Sequence, residues 1–180
     1  MNAHDMYPLE QLVTRPKYGT QRVFAKKAVD LLPEYEDIGF ELTRNGLLMR
    51  GMTESDLAKP REFLMGVFGL DVRFSAPHIR LAYADGWQEP IMGFRIATEP
   101  SYVEPIRKGL AIIRGASISD IEKRVPTSVI RGEAPLIDLI GISRTLRQLS
   151  NESTQAVLWL SHYQPLWSYS TETMACYQGE

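Results

Sequence analysis

The chain has 180 residues, 44% hydrophobic and 23% charged, the balance of an ordinary soluble globular protein. A formal net charge of −2 argues against a strongly basic nucleic-acid binder and leaves room only for a local patch. The single cysteine, Cys176, excludes a disulfide framework and a zinc cluster.

No apolar run reaches the roughly 20 residues of a spanning helix. The start, MNAHDMYPLEQL, lacks the basic and apolar regions of a signal peptide, so a cytoplasmic setting and no membrane partner are expected. The length allows two small domains, each near the size at which a core becomes marginal.

Residues 1–20 are polar, with Pro8, Pro16 and Gly19, and read as an N-terminal arm with any first strand missing or disguised. From Gln21, the spacing of Val23, Phe24, Ala28, Leu31 and Leu32 predicts a helix that Pro33 stops. Two short apolar runs then flank Thr43-Arg44-Asn45-Gly46, and Asn-Gly in that setting signals a hairpin. Thr53, with Asp56 three residues on, caps the next helix, whose buried face is Leu57, Leu64, Val67 and Phe68. Pro60 fits that helix only in its first turn. Leu70, Val72 and Phe74 alternate as a half-buried strand does. PHIRLAY, from Pro77 to Tyr83, is another strand-like run.

The second half predicts a strand over Ile91–Thr98, then a helix near Tyr102–Arg114 closed by Gly115. Strands follow at Ser117–Lys123 and Ser128–Glu133, then a helix at Leu136–Leu149 and a strand at Gln155–Tyr163. The pattern is βαββαβ. The fold class expected is α+β: two ferredoxin-like domains in tandem, each an antiparallel sheet with helices on one face. Their expected bounds are 21–85 and 86–168, after an arm at 1–20 and before a tail at 169–180.

EAPLIDLIGISRTLRQLSN together with LWLSHY resembles the C-terminal domain of the elongation factor G family of translational GTPases. Pro135, Leu136, Gly141, Leu146, Arg147, Ser161, His162 and Tyr163 fall on the family's pattern without a gap, and Tyr102, Leu110, Arg114 and Gly115 continue the register. The first half resembles the family's third domain through Gly51, Met52, Glu54, Leu57, Phe68, Gly69, Val72 and Pro77. Direct passage from third to fifth domain is most like the LepA and BipA branches. The chain has no G-x-x-x-x-G-K-[ST] phosphate loop. Thr53, Asp56 and Ala58 replace a glycine, a histidine and an acid of the pattern, and NEST (Asn151–Thr154) replaces its Q-G-R-G loop.

The resemblance implies a non-catalytic, cofactor-free partner of the ribosome, meeting ribosomal RNA or a ribosomal protein. The alternative is a redeployed scaffold that binds a separate protein or a second copy of itself. Basic and acidic residues nearly balance in each half, so any contact is local. Candidate contacts are Arg107, Lys108, Lys123, Arg124, Arg144 and Arg147, with Lys26-Lys27 in the first half. The aromatic residues Tyr163, Trp167, Tyr169 and Tyr177 pack the C-terminal segment or stack on a partner. No catalytic residue is expected: His162 reads as structural, His4 and His78 as surface residues, and Cys176 as unreactive. The acids of Pro33–Asp37 match no calcium or magnesium spacing.

Overall fold

A computed structural model describes residues 7–17, 19–150 and 153–166. The tail at 169–180, with His4, Cys176, Trp167, Tyr169 and Tyr177, lies outside these residues. The chain divides into two compact units, one closing at Arg80 and the other opening at Leu81.

The first unit runs β1 (Leu9–Thr14), α1 (Gln21–Leu31), β2 (Gly39–Leu42), β3 (Leu47–Gly51), α2 (Glu54–Phe68), β4 (Arg73–Phe74) and β5 (His78–Ile79). Its sheet has the order β2-β3-β1-β4, with β5 also on β1, and every pairing is antiparallel. This is the ferredoxin-like order. The segment read as an arm therefore carries β1, one of the two inner strands. Its core-facing positions are Leu9, Gln11 and Val13, and the glutamine disguises the alternation. Gln11 is buried because its Nε2 donates to the Ser75 carbonyl at 2.6 Å.

The hairpin forms at Thr43–Gly46, where Gly46 has φ 146° and its carbonyl accepts from the Thr43 N–H at 2.9 Å. The Thr53 capping box is complete: the Thr53 N–H donates to Asp56 Oδ2 at 2.7 Å, and the Asp56 N–H donates to Thr53 Oγ1 at 3.4 Å. Helix α2 runs on through Pro60, beyond its first turn. The buried proline ring offsets the lost backbone bond by its own apolar contact. Val67, expected inside, is exposed, as are Val23 and Leu31 on α1, while Leu57, Pro60, Leu64 and Phe68 form the buried face of α2. Phe24 and Phe68 meet edge to face at 5.3 Å and tie α1 to α2. The strand expected from Leu70 to Phe74 shrinks to β4. Gly69 at φ 64° opens a 3₁₀ turn that leaves Leu70 94% exposed.

PHIRLAY is shared between the two sheets. His78–Ile79 pairs with β1, whereas β6 (Ala82–Tyr83) pairs with the start of β7 (Trp87–Thr98) across a turn at Gly86. The second unit continues with α3 (Val103–Ile112), β8 (Ser117–Glu122), β9 (Ser128–Pro135), α4 (Leu136–Leu139), α5 (Ile142–Leu149) and β10 (Gln155–Pro165). The order β10-β7-β9-β8 repeats that of the first unit. Met92, Phe94 and Ile96 of β7 and Ile130 of β9 are buried with Ile106, Leu110, Leu139 and Leu146 of the helices. The helix expected over Leu136–Leu149 is two helices. Ile140 turns extended and Gly141 sits in the left-handed region at φ 80°, so the axis breaks between α4 and α5.

Candidate functional site

Of the cations singled out above, Lys26 and Lys27 are exposed on α1 of the first unit, and the other six lie on the second unit. Helix α3 buries Val103, Ile106 and Leu110, which turns Glu104, Arg107 and Lys108 to solvent. Helix α5 buries Ile142 and Leu146 and exposes Arg144 and Arg147. Lys123 and Arg124 lie on the loop between β8 and β9, which includes a cis Val125–Pro126 bond. The Ser128 hydroxyl donates to the Arg124 carbonyl at 3.3 Å and holds the base of that loop.

Helix α3 and this loop enclose a cleft of about 290 Å³, lined by Pro100, Val103, Glu104, Lys123, Arg124, Val125 and Ser128. A neighbouring cleft of about 570 Å³ shares Pro100 and Val125 and reaches Thr98, Thr127 and Ser153. Thr98 and Thr154 share a hydroxyl–hydroxyl bond of 2.7 Å, which ties the lead-in of β10 to the end of β7. The Ser150 hydroxyl donates to the Leu146 carbonyl at 2.7 Å, and the Ser153 hydroxyl to the Ser150 carbonyl at 2.8 Å.

Two of the six cations are spoken for. Arg107 forks onto Glu104 at 2.5 and 2.9 Å, and Arg124 pairs with Glu122. The Arg107 bonds hold the Glu104 carboxyl below its ordinary pKa, with Lys108 and Lys123 adding to the pull. Glu122 is also shared with Arg131, which spans Asp120 at 2.8 Å and Glu122 at 3.2 Å. Lys108, Lys123, Arg144 and Arg147 make no ion pair among the described residues and remain free for an anionic partner. The structure brings Arg107, Lys108 and Lys123 around Glu104, with Arg124 on the wall of the same cleft. Arg144 and Arg147 sit apart on α5. Sequence reading missed Glu104 as the residue that organises this group, although its i, i+3 spacing to Arg107 is the signal that finds it.

His162 is exposed on β10, with Nδ1 3.3 Å from Ser161 Oγ, and the Ser161 hydroxyl donates to Glu133 Oε1 at 2.5 Å. A hydrolytic triad needs the imidazole to take the serine proton and the acid to orient the imidazole. Here the serine bonds the acid directly, and among the described residues no acid holds the imidazole. His78 is half-buried in β5. Among the described residues, no group of three or more His, Cys, Asp or Glu side chains is placed to hold a metal.

A smaller cleft of about 150 Å³ lies between α3 and α5, walled by Ile106, Leu110, Ile142 and Leu146. Asp138 reaches its edge, and its Oδ2 has no hydrogen-bond partner among the described residues. Burial pushes the Asp138 carboxyl above its ordinary pKa; Arg114 opposes the shift and Glu89 adds to it. The folded chain thus holds this proton to higher pH than the unfolded chain does. Its contribution to stability is full below the ordinary aspartate pKa and is lost as pH rises through the raised value. Asp138→Asn is expected to gain less than about 1 kcal/mol at neutral pH, since the group is partly solvated, and to flatten this dependence. Thermal melts from acid to neutral pH check it.

Residues 87–173 match the family model described as Elongation factor G C-terminus. The match lies over the second unit, which is similar to the elongation factor G C-terminus. Over 78 residues the chain is 35% identical to mitochondrial ribosome-releasing factor 2 of Bos taurus, covering 43% of this chain and 10% of the relative. Over 75 residues it is 36% identical to elongation factor G of Pseudothermotoga lettingae, covering 42% of this chain and 11% of the relative. The chain thus spans about a tenth of the length of these translation proteins. A crystal structure from Thermus thermophilus shares the fold, with a TM-score of 0.63 over 89% of this chain and 41% of the other, at 14% identity. The unit similar to the elongation factor G C-terminus thus carries the clefts and these six candidate cations, and the chain is translation-factor-like in this region. Among the described residues, no helix is long and apolar enough to cross a membrane.

Proposed function

We propose that this protein is a non-catalytic, cytoplasmic translation-factor-like protein that binds the ribosome, through ribosomal RNA or a ribosomal protein. In this reading the first unit is the counterpart of the family's third domain and the second unit supplies the contact. The observation that carries it is the group of exposed cations on α3 and the β8–β9 loop of an elongation factor G C-terminal unit. Lys108 and Lys123 make no ion pair there among the described residues. Loops and helix faces of this kind present point charges to a phosphate backbone without burying them. With no phosphate loop in this chain, the action is occupancy of a site rather than nucleotide hydrolysis.

The protein is expected to pellet with ribosomal subunits at low ionic strength and to come off as salt rises, since such contacts release counterions. Co-sedimentation in graded salt measures this. A chain left in the supernatant with both subunits at the lowest salt overturns the reading.

A further inference from the structure

We propose that the outer edge of β10 is a self-association surface, at which a second copy of this chain adds its own β10 in antiparallel register. An edge strand presents unpaired N–H and C=O groups, and natural sheets guard such edges with charge, proline or brevity. The other edges here are guarded. β2 is four residues long and contains Glu41, β4 is two residues long, and β8 carries Asp120, Glu122 and a register shift. β10 is eleven residues long, QAVLWLSHYQP, with no Asp, Glu, Lys or Arg and its only proline at the last position. It pairs with β7 on one side and, among the described residues, with no strand on the other.

The register places Val157 beside Arg95 and Trp159 beside Gly93, on the sheet face away from buried Phe94 and Ile96. Val157 is 59% exposed and Trp159 45% exposed. The regular run ends at a bulge between Leu160 and His162.

A second copy is the occupant this run fits. A two-fold axis through Leu158 sets Val157 of each copy across from Trp159 of the other, and Ala156 across from Leu160. The pairing uses the straight run ahead of the bulge, covers both exposed apolar side chains and brings no charges face to face on the paired strands. The nearest cation on that face, Arg95, stands one strand in. Its counterpart would lie three strand spacings away, about 14 Å, beyond a Debye length of about 8 Å. This proposal is independent of ribosome binding, and either can fail alone.

Sedimentation velocity on the full chain tests it. A dimer is expected that dissociates on dilution. Val157→Lys, which guards the edge at an exposed position, is expected to weaken it at least tenfold with an unchanged circular dichroism spectrum. In a Cys176→Ser background, Leu158→Cys is expected to give a disulfide-linked dimer on mild oxidation, and Glu122→Cys on the opposite edge is not. Three results each overturn the proposal: a monomer at about 100 µM, a dimer that Val157→Lys leaves intact, or a monomer whose edge takes a strand from another protein.

Discussion

Gly132→Ala is expected to destabilise the second unit by about 3 kcal/mol, the largest loss from a single added methyl group in this sheet. Gly132 sits in β9 with Phe94 of β7 on one side and Ile118 of β8 on the other. A Cβ there would collide with the Ser117 carbonyl oxygen and stand 2.5 Å from Cζ of Phe94. Neither neighbour yields cheaply: one is ladder backbone, and the other is a ring 1% exposed in the core. Gly93→Ala is the control. Its Cβ would also meet a ring, 2.6 Å from Cζ2 and Nε1 of Trp159, but that indole is 45% exposed and can swing out. A smaller loss of about 1 kcal/mol is expected there. Urea unfolding followed by circular dichroism separates the two, and equal losses would show that Phe94 repacks as freely as Trp159.

Lys108→Glu combined with Lys123→Glu is expected to weaken ribosome association at least tenfold at moderate salt and to lower the salt slope by about two. Both side chains are exposed and neither is in an ion pair among the described residues, so their loss leaves the fold intact. Reversal also surrounds Glu104 with two more acids where two cations now stand. Arg144→Glu with Arg147→Glu, on the separate face of α5, tells whether the contact extends to that helix. Co-sedimentation at several salt concentrations gives both the affinity and the slope. An unchanged slope for the Lys108 and Lys123 variant would remove this side of the unit from the interface.

Much of the fold was legible because local chemistry and tertiary demand agreed. Asn45-Gly46 makes its hairpin, Thr53 and Asp56 close their box, and the βαββαβ pattern of the second half reads straight from its apolar spacing. The failures have physical causes. β1 was hidden because a buried glutamine, whose Nε2 donates to the Ser75 carbonyl from the far end of the unit, occupies a core position. Leu70 and Val67 look like core residues by type, yet the chain turns at Gly69 and leaves both outside. The single helix expected after Pro135 ignored Gly141, a break that only its left-handed backbone reveals. At the site, the candidate cations were legible as residue types. Which of them are neutralised was not, because the Arg124 pairing with Glu122 depends on where the β8–β9 loop folds back.

The seat of Trp159 on Gly93 also gives the molecule a built-in optical reporter. The chain has three tryptophans, so Trp87→Phe and Trp167→Phe isolate the emission of the indole beside the open strand edge. A half-exposed indole emits at longer wavelength than a covered one. Anything that lies along β10 will therefore announce itself as a blue shift, in dilute solution and without a label.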